Sequence, residues 1–267
     1  MLPRVRANRR WRFALEAVGA LVCVAAGPHV VSALASTGAP TPEARPRAAE
    51  PSLFARRLAA LAASMSTRPS AQGLPEAAPE ALSPQAARLR NAAVPISDAP
   101  NPAAQPFQLE AASALDEARA TDCMTAAVYY EAGQESADGQ RAVAQVVLNR
   151  LRDPQFPKTV CDVVFQGAKG AGCQFTFTCD GALDHPPTQD GWDRARKVAV
   201  AALHGYVMRQ VGAATHYHAD YVAPRWAPLL AKVAQIGQHI FYRWPGAWGQ
   251  PAAFTGRYIG EPRDPLS

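Results

Sequence analysis

Proline decides where this chain can build a core. Residues 37–118 are rich in alanine and proline, with Pro40, Pro42, Pro46 and Pro51 near one end and Pro95, Pro100, Pro102 and Pro106 near the other. Proline fixes φ and removes a backbone donor, so this stretch is expected to be a disordered, semi-extended spacer. Within it, Leu53–Met65 has helical spacing and is expected to form one local helix. A single globular unit must then start near Arg119. The 149 residues from Arg119 onward are enough for an independent core, since a domain of that size buries roughly 70% of its unfolded surface.

Upstream of the spacer, residues 1–36 set Arg4, Arg6, Arg9, Arg10 and Arg12 against Glu16, so most of the formal net charge of +5 lies there. An apolar run from Phe13 to Ala35 follows, closing on Ala33-Leu34-Ala35. This is the pattern of an export signal, either cleaved after Ala35 or kept as an inner-membrane anchor. Either way the remainder is expected outside the cytoplasm, in the periplasm, secreted, or tethered to the membrane. The basic balance belongs to the leader and not to a folded face, so no nucleic-acid partner is expected. Four of the five cysteines, Cys123, Cys161, Cys173 and Cys179, fall in the globular unit. In an oxidising compartment they suggest two disulfides, and the sequence leaves all three pairings open.

Residues 121–151 read as two helices joined by a turn. Thr121 or Asp122 can cap the first; Met124, Ala127, Val128 and Glu131 share its apolar stripe, and Gly133 stops it. The second runs from about Asp138 to Arg152, with Val143, Val146, Val147 and Leu151 inward. A carboxylate on an apolar stripe is the informative oddity. Burial disfavours its charged form, as a general acid at neutral pH requires, although a Glu there can equally pair with an arginine such as Arg150. A third helix is expected after Thr188 or Asp190, with Trp192, Ala195, Val198, Ala199, Ala202, Leu203 and Tyr206 on one stripe. Cys173–Cys179 alternates like a short strand, Pro224-Arg225-Trp226 is expected to open a short helix through Val233, and residues 236–244 to form a closing strand. Trp226 can stack on a sugar or be buried.

His216-Tyr217-His218-Ala219-Asp220 also invites a metal reading, because alternate residues of a strand share a face. The histidine that would complete such a set is replaced by Tyr221, with His239 as a distant substitute. No metal and no cofactor are therefore expected. The imidazoles are expected either to line a substrate groove or to sit satisfied in the core.

The run Ala127-Val128-Tyr129-Tyr130-Glu131-Ala132-Gly133-Gln134-Glu135, then Gly139-Gln140 and Ala142-Val143-Ala144-Gln145-Val146-Val147-Leu148-Asn149-Arg150, resembles the SleB/CwlJ-type cell wall hydrolases. That family includes the spore-cortex-lytic enzymes and relatives in Gram-negative bacteria. The likeness continues through Phe156-Pro157, Thr159-Val160-Cys161, Cys173-Gln174-Phe175 and Thr215-His216-Tyr217-His218-Ala219 to Ile236–Tyr242, and covers residues 119–244. It implies an α+β, mainly α, domain of the lysozyme or lytic-transglycosylase type with a small β element, followed by an irregular tail at 245–267. It further implies peptidoglycan glycan strands as substrate and Glu131 as the catalytic glutamate. Glu135, Gln174, Phe175, His216, Tyr217 and His218 become candidate substrate-binding residues. The family's Glu-Ala-Arg-Gly-Glu reads here Glu131-Ala132-Gly133-Gln134-Glu135, so its arginine is missing.

The expected activity is lytic cleavage of the MurNAc–GlcNAc linkage by one acid/base carboxyl in a monomeric enzyme. Hydrolysis with a second carboxylate (Asp138, Asp180 or Glu135), an amidase, and a non-catalytic wall-binding protein are the alternatives.

Overall fold

The computed structural model describes residues 74, 78–169 and 172–261, all within the second of two units, Arg57–Ser267. The expected leader and the Leu53–Met65 helix lie outside the described residues. Among the described residues no helix is long and apolar enough to cross a membrane. The domain is α+β and mainly α. Among the described residues five helices, α1 (Pro84–Ala93), α2 (Ala114–Ala132), α3 (Ala137–Arg152), α4 (Val160–Val164) and α5 (Gln189–Leu203), accompany three strands, β1 (His216–Ala219), β2 (Ala231–Ile236) and β3 (His239–Arg243).

Helices α2, α3 and α5 pack on one another through Met124, Val128, Val147, Leu151 and Leu203, with Ala120, Ala127, Ala195 and Ala199 fully buried between them. Small residues at these positions bring the helix axes close. Each helix starts on a hydroxyl cap: Ser113 accepts from Asp116 N, Ser136 from Gly139 N and Thr188 from Gly191 N. The expected start of α2 near Thr121 is thus corrected to Ala114. Ser113 is the true cap, and Thr121 spends its carbonyl on Thr125 Oγ1 inside the helix (2.6 Å). Helix α5 ends at Leu203, where His204 caps it, so Tyr206 falls outside it.

The strands form an antiparallel sheet in the order β1-β3-β2. Phe241 packs towards Ala142 and Val146 of α3, while Ile240, Tyr242 and Trp244 form a separate cluster. A ladder of buried polar groups on α3 ties the sheet to the helices. Gln145 Nε2 donates to Asn149 Oδ1, and Asn149 Nδ2 donates to the carbonyls of Gly212 and Ala214. Arg150 Nε donates to Thr215 O, and Gln145 Oε1 accepts from Met208 N. These side chains satisfy the backbone of the segment that leads into β1, which explains a polar run on a helix this deeply buried.

Two other local expectations are overturned, and the closing strand is present with narrower bounds. Residues 173–179 form a loop with a 3-10 turn at Thr176–Thr178, not a strand; no partner strand lies beside them, and a disulfide between Cys173 and Cys179 closes the loop on itself. The helix expected through Val233 is a 3-10 turn at Ala227–Leu229, after which the chain enters β2. Ile236 ends β2, and the closing strand begins at His239 after a tight turn at Gly237 (φ 59°).

The expected spacer differs where it is described, and the tail, irregular as expected apart from two 3-10 turns, packs on the domain. Helix α1 buries Ala87 and Asn91, and Phe107 joins the main core. At the other end Tyr258 Oη donates to Asp116 Oδ1 (2.5 Å), and the Glu261 carboxylate accepts from Val160 N and Cys161 N (2.8 and 2.9 Å). Glu261 therefore satisfies the open N-terminus of α4 from a distant part of the chain. Glu261→Ala is expected to cost about 1–2 kcal/mol, read as a lower urea midpoint with an unchanged slope.

Candidate active site

Glu131 sits in the last turn of α2, where the helix reaches the sheet. Strand β1 alternates, so His216 and His218 point to one side and Tyr217 to the other. Tyr217 Oη donates to Glu131 Oε2 at 2.8 Å. Beneath the pair lies Arg150, 3% exposed, its guanidinium between the rings of Phe156 and Phe175 at 5.4 and 5.1 Å. The Glu131–Arg150 pairing considered from sequence is not how the carboxyl is held: its hydrogen-bond donor is Tyr217, while Arg150 Nε is committed to Thr215 O.

Desolvation raises the Glu131 pKa above the ordinary carboxylate value and outweighs the lowering by the Tyr217 hydrogen bond and the Arg150 charge; the Asp180 charge pushes the same way as burial. Burial drives the Tyr217 phenol well up, so it stays protonated and donates. Burial pushes Arg150 down to about 10, which leaves it charged at neutral pH. The result is a carboxyl whose acid form is favoured by burial, beside groups that can receive its anion.

The cleft around Glu131 has two arms, with cavity volumes of about 500 and 330 Å³. Tyr130, Glu131, Ala219, Tyr221 and His239 border both. Gln174, Thr176, Asp180 and Trp226 line the larger arm, and Glu135, Thr188, Arg194 and Gln238 the smaller. Glu131 thus stands where the arms meet, as a group acting on a bond within an extended chain would.

The other sequence-derived candidates separate on this geometry. Glu135 borders the smaller arm and accepts from Gln238 N at 3.1 Å. Gly237 has φ 59°, which favours glycine, and a Cβ there would push the Glu135 carboxylate from its contact with Gln238 N. Gln174 borders the larger arm. Phe175 does not: it is 2% exposed and packs under Arg150, because the alternation that keeps Gln174 outward turns Phe175 into the core. Its assignment to substrate is replaced by a supporting role.

His216 and His218 border the larger arm, but their rings are engaged. His216 Nδ1 lies 2.9 Å from Thr215 Oγ1. His218 Nδ1 must carry the proton it shares with Ala219 O (2.9 Å), leaving Nε2 to accept from Tyr242 Oη (3.0 Å). Burial lowers the His218 pKa and holds the ring neutral. Asp220, the third member of the metal reading, is paired with Arg88 at 3.1 Å. Among the described residues no group of three histidine, cysteine or acidic side chains is placed to hold a metal. Asp138 pairs with Arg141 and borders neither arm. Neither Tyr130, the chain neighbour of Glu131, nor Tyr221 is expected from the sequence to line the site, and it is the fold that brings Tyr221 to Glu131.

A family model described as Cell Wall Hydrolase matches residues 134–242. The match opens just past Glu131 and takes in both walls of the cleft. Curated relatives include the spore cortex-lytic enzyme of Oceanobacillus iheyensis, 37% identical over 119 residues, which are 44% of this chain and 39% of that protein. The spore cortex-lytic enzyme of Halalkalibacterium halodurans is 37% identical over 119 residues, 44% of this chain and 33% of that protein. That of Bacillus subtilis is 33% identical over 115 residues, 43% of this chain and 34% of that protein. The chain therefore spans well under half the length of these relatives. No solved structure matches it.

Proposed function

We propose that this protein, whose residues 134–242 match the Cell Wall Hydrolase family and which is similar to spore cortex-lytic enzymes, cleaves the glycan strands of peptidoglycan outside the cytoplasm. Glu131 is the acid/base. The observation that carries the reading is a single carboxyl with a raised pKa, held by a phenol donor where two arms of a cleft meet. Protonated Glu131 gives its proton to the glycosidic oxygen as the bond to C1 of MurNAc breaks. The carboxylate so formed keeps the Tyr217 hydrogen bond and the nearby Arg150 charge. It then takes the proton of the MurNAc 6-hydroxyl as O6 closes on C1, giving a 1,6-anhydro end. No water is consumed, and the internal hydroxyl gains the proximity that a free nucleophile lacks.

Mass spectrometry of digested sacculi tests the reading: anhydro-muramoyl ends are expected throughout. Hydrolysis is a second reading, favoured by Asp180, which borders the same arm and whose charge acts on Glu131. Products ending only in reducing muramic acid would establish it in place of the lytic route.

The direction of the Glu131 shift fixes a pH dependence. The acid works when protonated, so the cleavage rate falls as pH rises through its raised pKa. Tyr217→Phe removes a hydrogen bond that favours the anion, which raises that pKa further. The alkaline limb of the pH–rate profile is expected to move to higher pH, while the maximal rate falls about 10-fold as the anion loses its donor. A limb that stays in place would mean that Tyr217 does not act on the titrating group.

A further inference from the structure

Tyr221 is among the most exposed large side chains bordering the cleft, at 41%, yet its backbone is held on both sides. Asn91 of α1, itself 6% exposed, donates from Nδ2 to the carbonyls of Asp220 and Val222 at 2.7 and 2.8 Å. Arg88, one helical turn earlier, pairs with Asp220 and lies over the Tyr221 ring, 5.5 Å from its centroid. Lys232 Nζ fixes this end of α1 in turn by donating to Asn91 O and Val94 O. Just upstream, Glu80 N donates to Ala223 O and Pro79 borders the larger arm.

An exposed aromatic ring backed by a cation and fixed on both sides of its backbone has lost its freedom before any ligand arrives. That lowers the entropic cost of binding. The ring borders both arms beside Glu131, and its Arg88-covered face leaves the opposite one for an apolar surface. In a glycan that surface is the C–H face of a pyranose.

Resting on the peptidoglycan reading above, we propose that Tyr221 is a sugar-stacking platform of the substrate cleft, set in place by α1 from outside the residues that the family model matches. Its hydroxyl is not required; its ring and its fixed position are.

The test uses the full chain carrying Glu131→Gln, so that ligand is not consumed, and peptide-free peptidoglycan glycan strands titrated by calorimetry. Adding Tyr221→Ala is expected to weaken binding about 10-fold, and adding Tyr221→Phe less than about 2-fold. Adding Asn91→Ala keeps the ring but frees the turn, and an intermediate loss of about 3-fold is expected. Near-UV circular dichroism checks that each variant is folded. Binding unchanged by Tyr221→Ala, in a protein whose wild type clears sacculi, overturns the platform and leaves the enzyme reading intact. A wild type that neither binds strands nor clears sacculi overturns both.

Discussion

Glu131→Gln is expected to lower the rate of sacculus clearing by about 1,000-fold, the middle of the range for losing a general acid–base group, with binding to sacculi kept. The glutamine is close in shape and can still accept from Tyr217 Oη, so the 2.8 Å contact to β1 survives. It cannot give a proton to a leaving oxygen or take one from a hydroxyl, so both halves of the proposed reaction would stop.

Stability separates this from a folding defect. The Glu131 pKa is raised in the folded state, so its contribution is fully present below the ordinary carboxylate pKa and is lost as pH rises through the raised value. At neutral pH the variant lacks that loss and is expected to melt no lower than wild type. Turbidity assays and thermal melts on the same samples check both halves. Equal clearing by the two proteins would remove Glu131 from the chemistry, and binding without clearing by either would favour a wall-binding role.

Much of the helical frame was legible because its signals are local. Helix α3 announces itself by four inward aliphatic positions and stops at Asp153, as its pattern requires; α5 starts on the Thr188 hydroxyl. The inward orientation of Glu131 follows from the same stripe. The misreadings occur where a distant segment decides. Lys232 lies at the start of β2, as its second residue, yet is 6% exposed, and a lysine at such a position argues against a buried strand. Its charge is accommodated because α1 ends there and offers the carbonyls of Asn91 and Val94. The alanine- and proline-rich composition around α1 gave no reason to place a helix at that spot.

The site shows the same division. A residue's own type suggested Glu131 as an acid, but its hydrogen-bond donor comes from a strand 86 positions away in sequence. Nothing in the His216–Asp220 run says which member faces the carboxyl. Only the pairing of β1 with β3, His218 with Ile240 and Tyr217 with Phe241, turns the phenol to Glu131, while the imidazoles line the larger arm with their ring nitrogens engaged by Thr215, Ala219 and Tyr242. Likewise Tyr221 owes its place to Asn91, a contact across 129 positions or more. Local pattern names the chemistry available, and long-range packing selects which groups use it.

Replacing both Cys123 and Cys161 by alanine is expected to destabilise the domain by about 4 kcal/mol, since the bridge closes a loop of 38 positions. For a domain this size that is roughly a 10 °C fall in Tm. The bond joins α2 to α4, both thiols are buried, and neither borders the cleft, so activity well below the melting transition is expected to stay within about 2-fold. The Cys173–Cys179 bridge spans only 6 positions, and its loss is expected to cost about 2 kcal/mol. It closes the loop that sets Gln174, Thr176 and Asp180 along the larger arm, so here KM should rise while Tm falls little. Thermal melts and initial rates on the two double variants therefore move in opposite order. If opening the short loop left KM unchanged, the larger arm would not be a substrate surface, and the glycan would have to approach Glu131 along the smaller one.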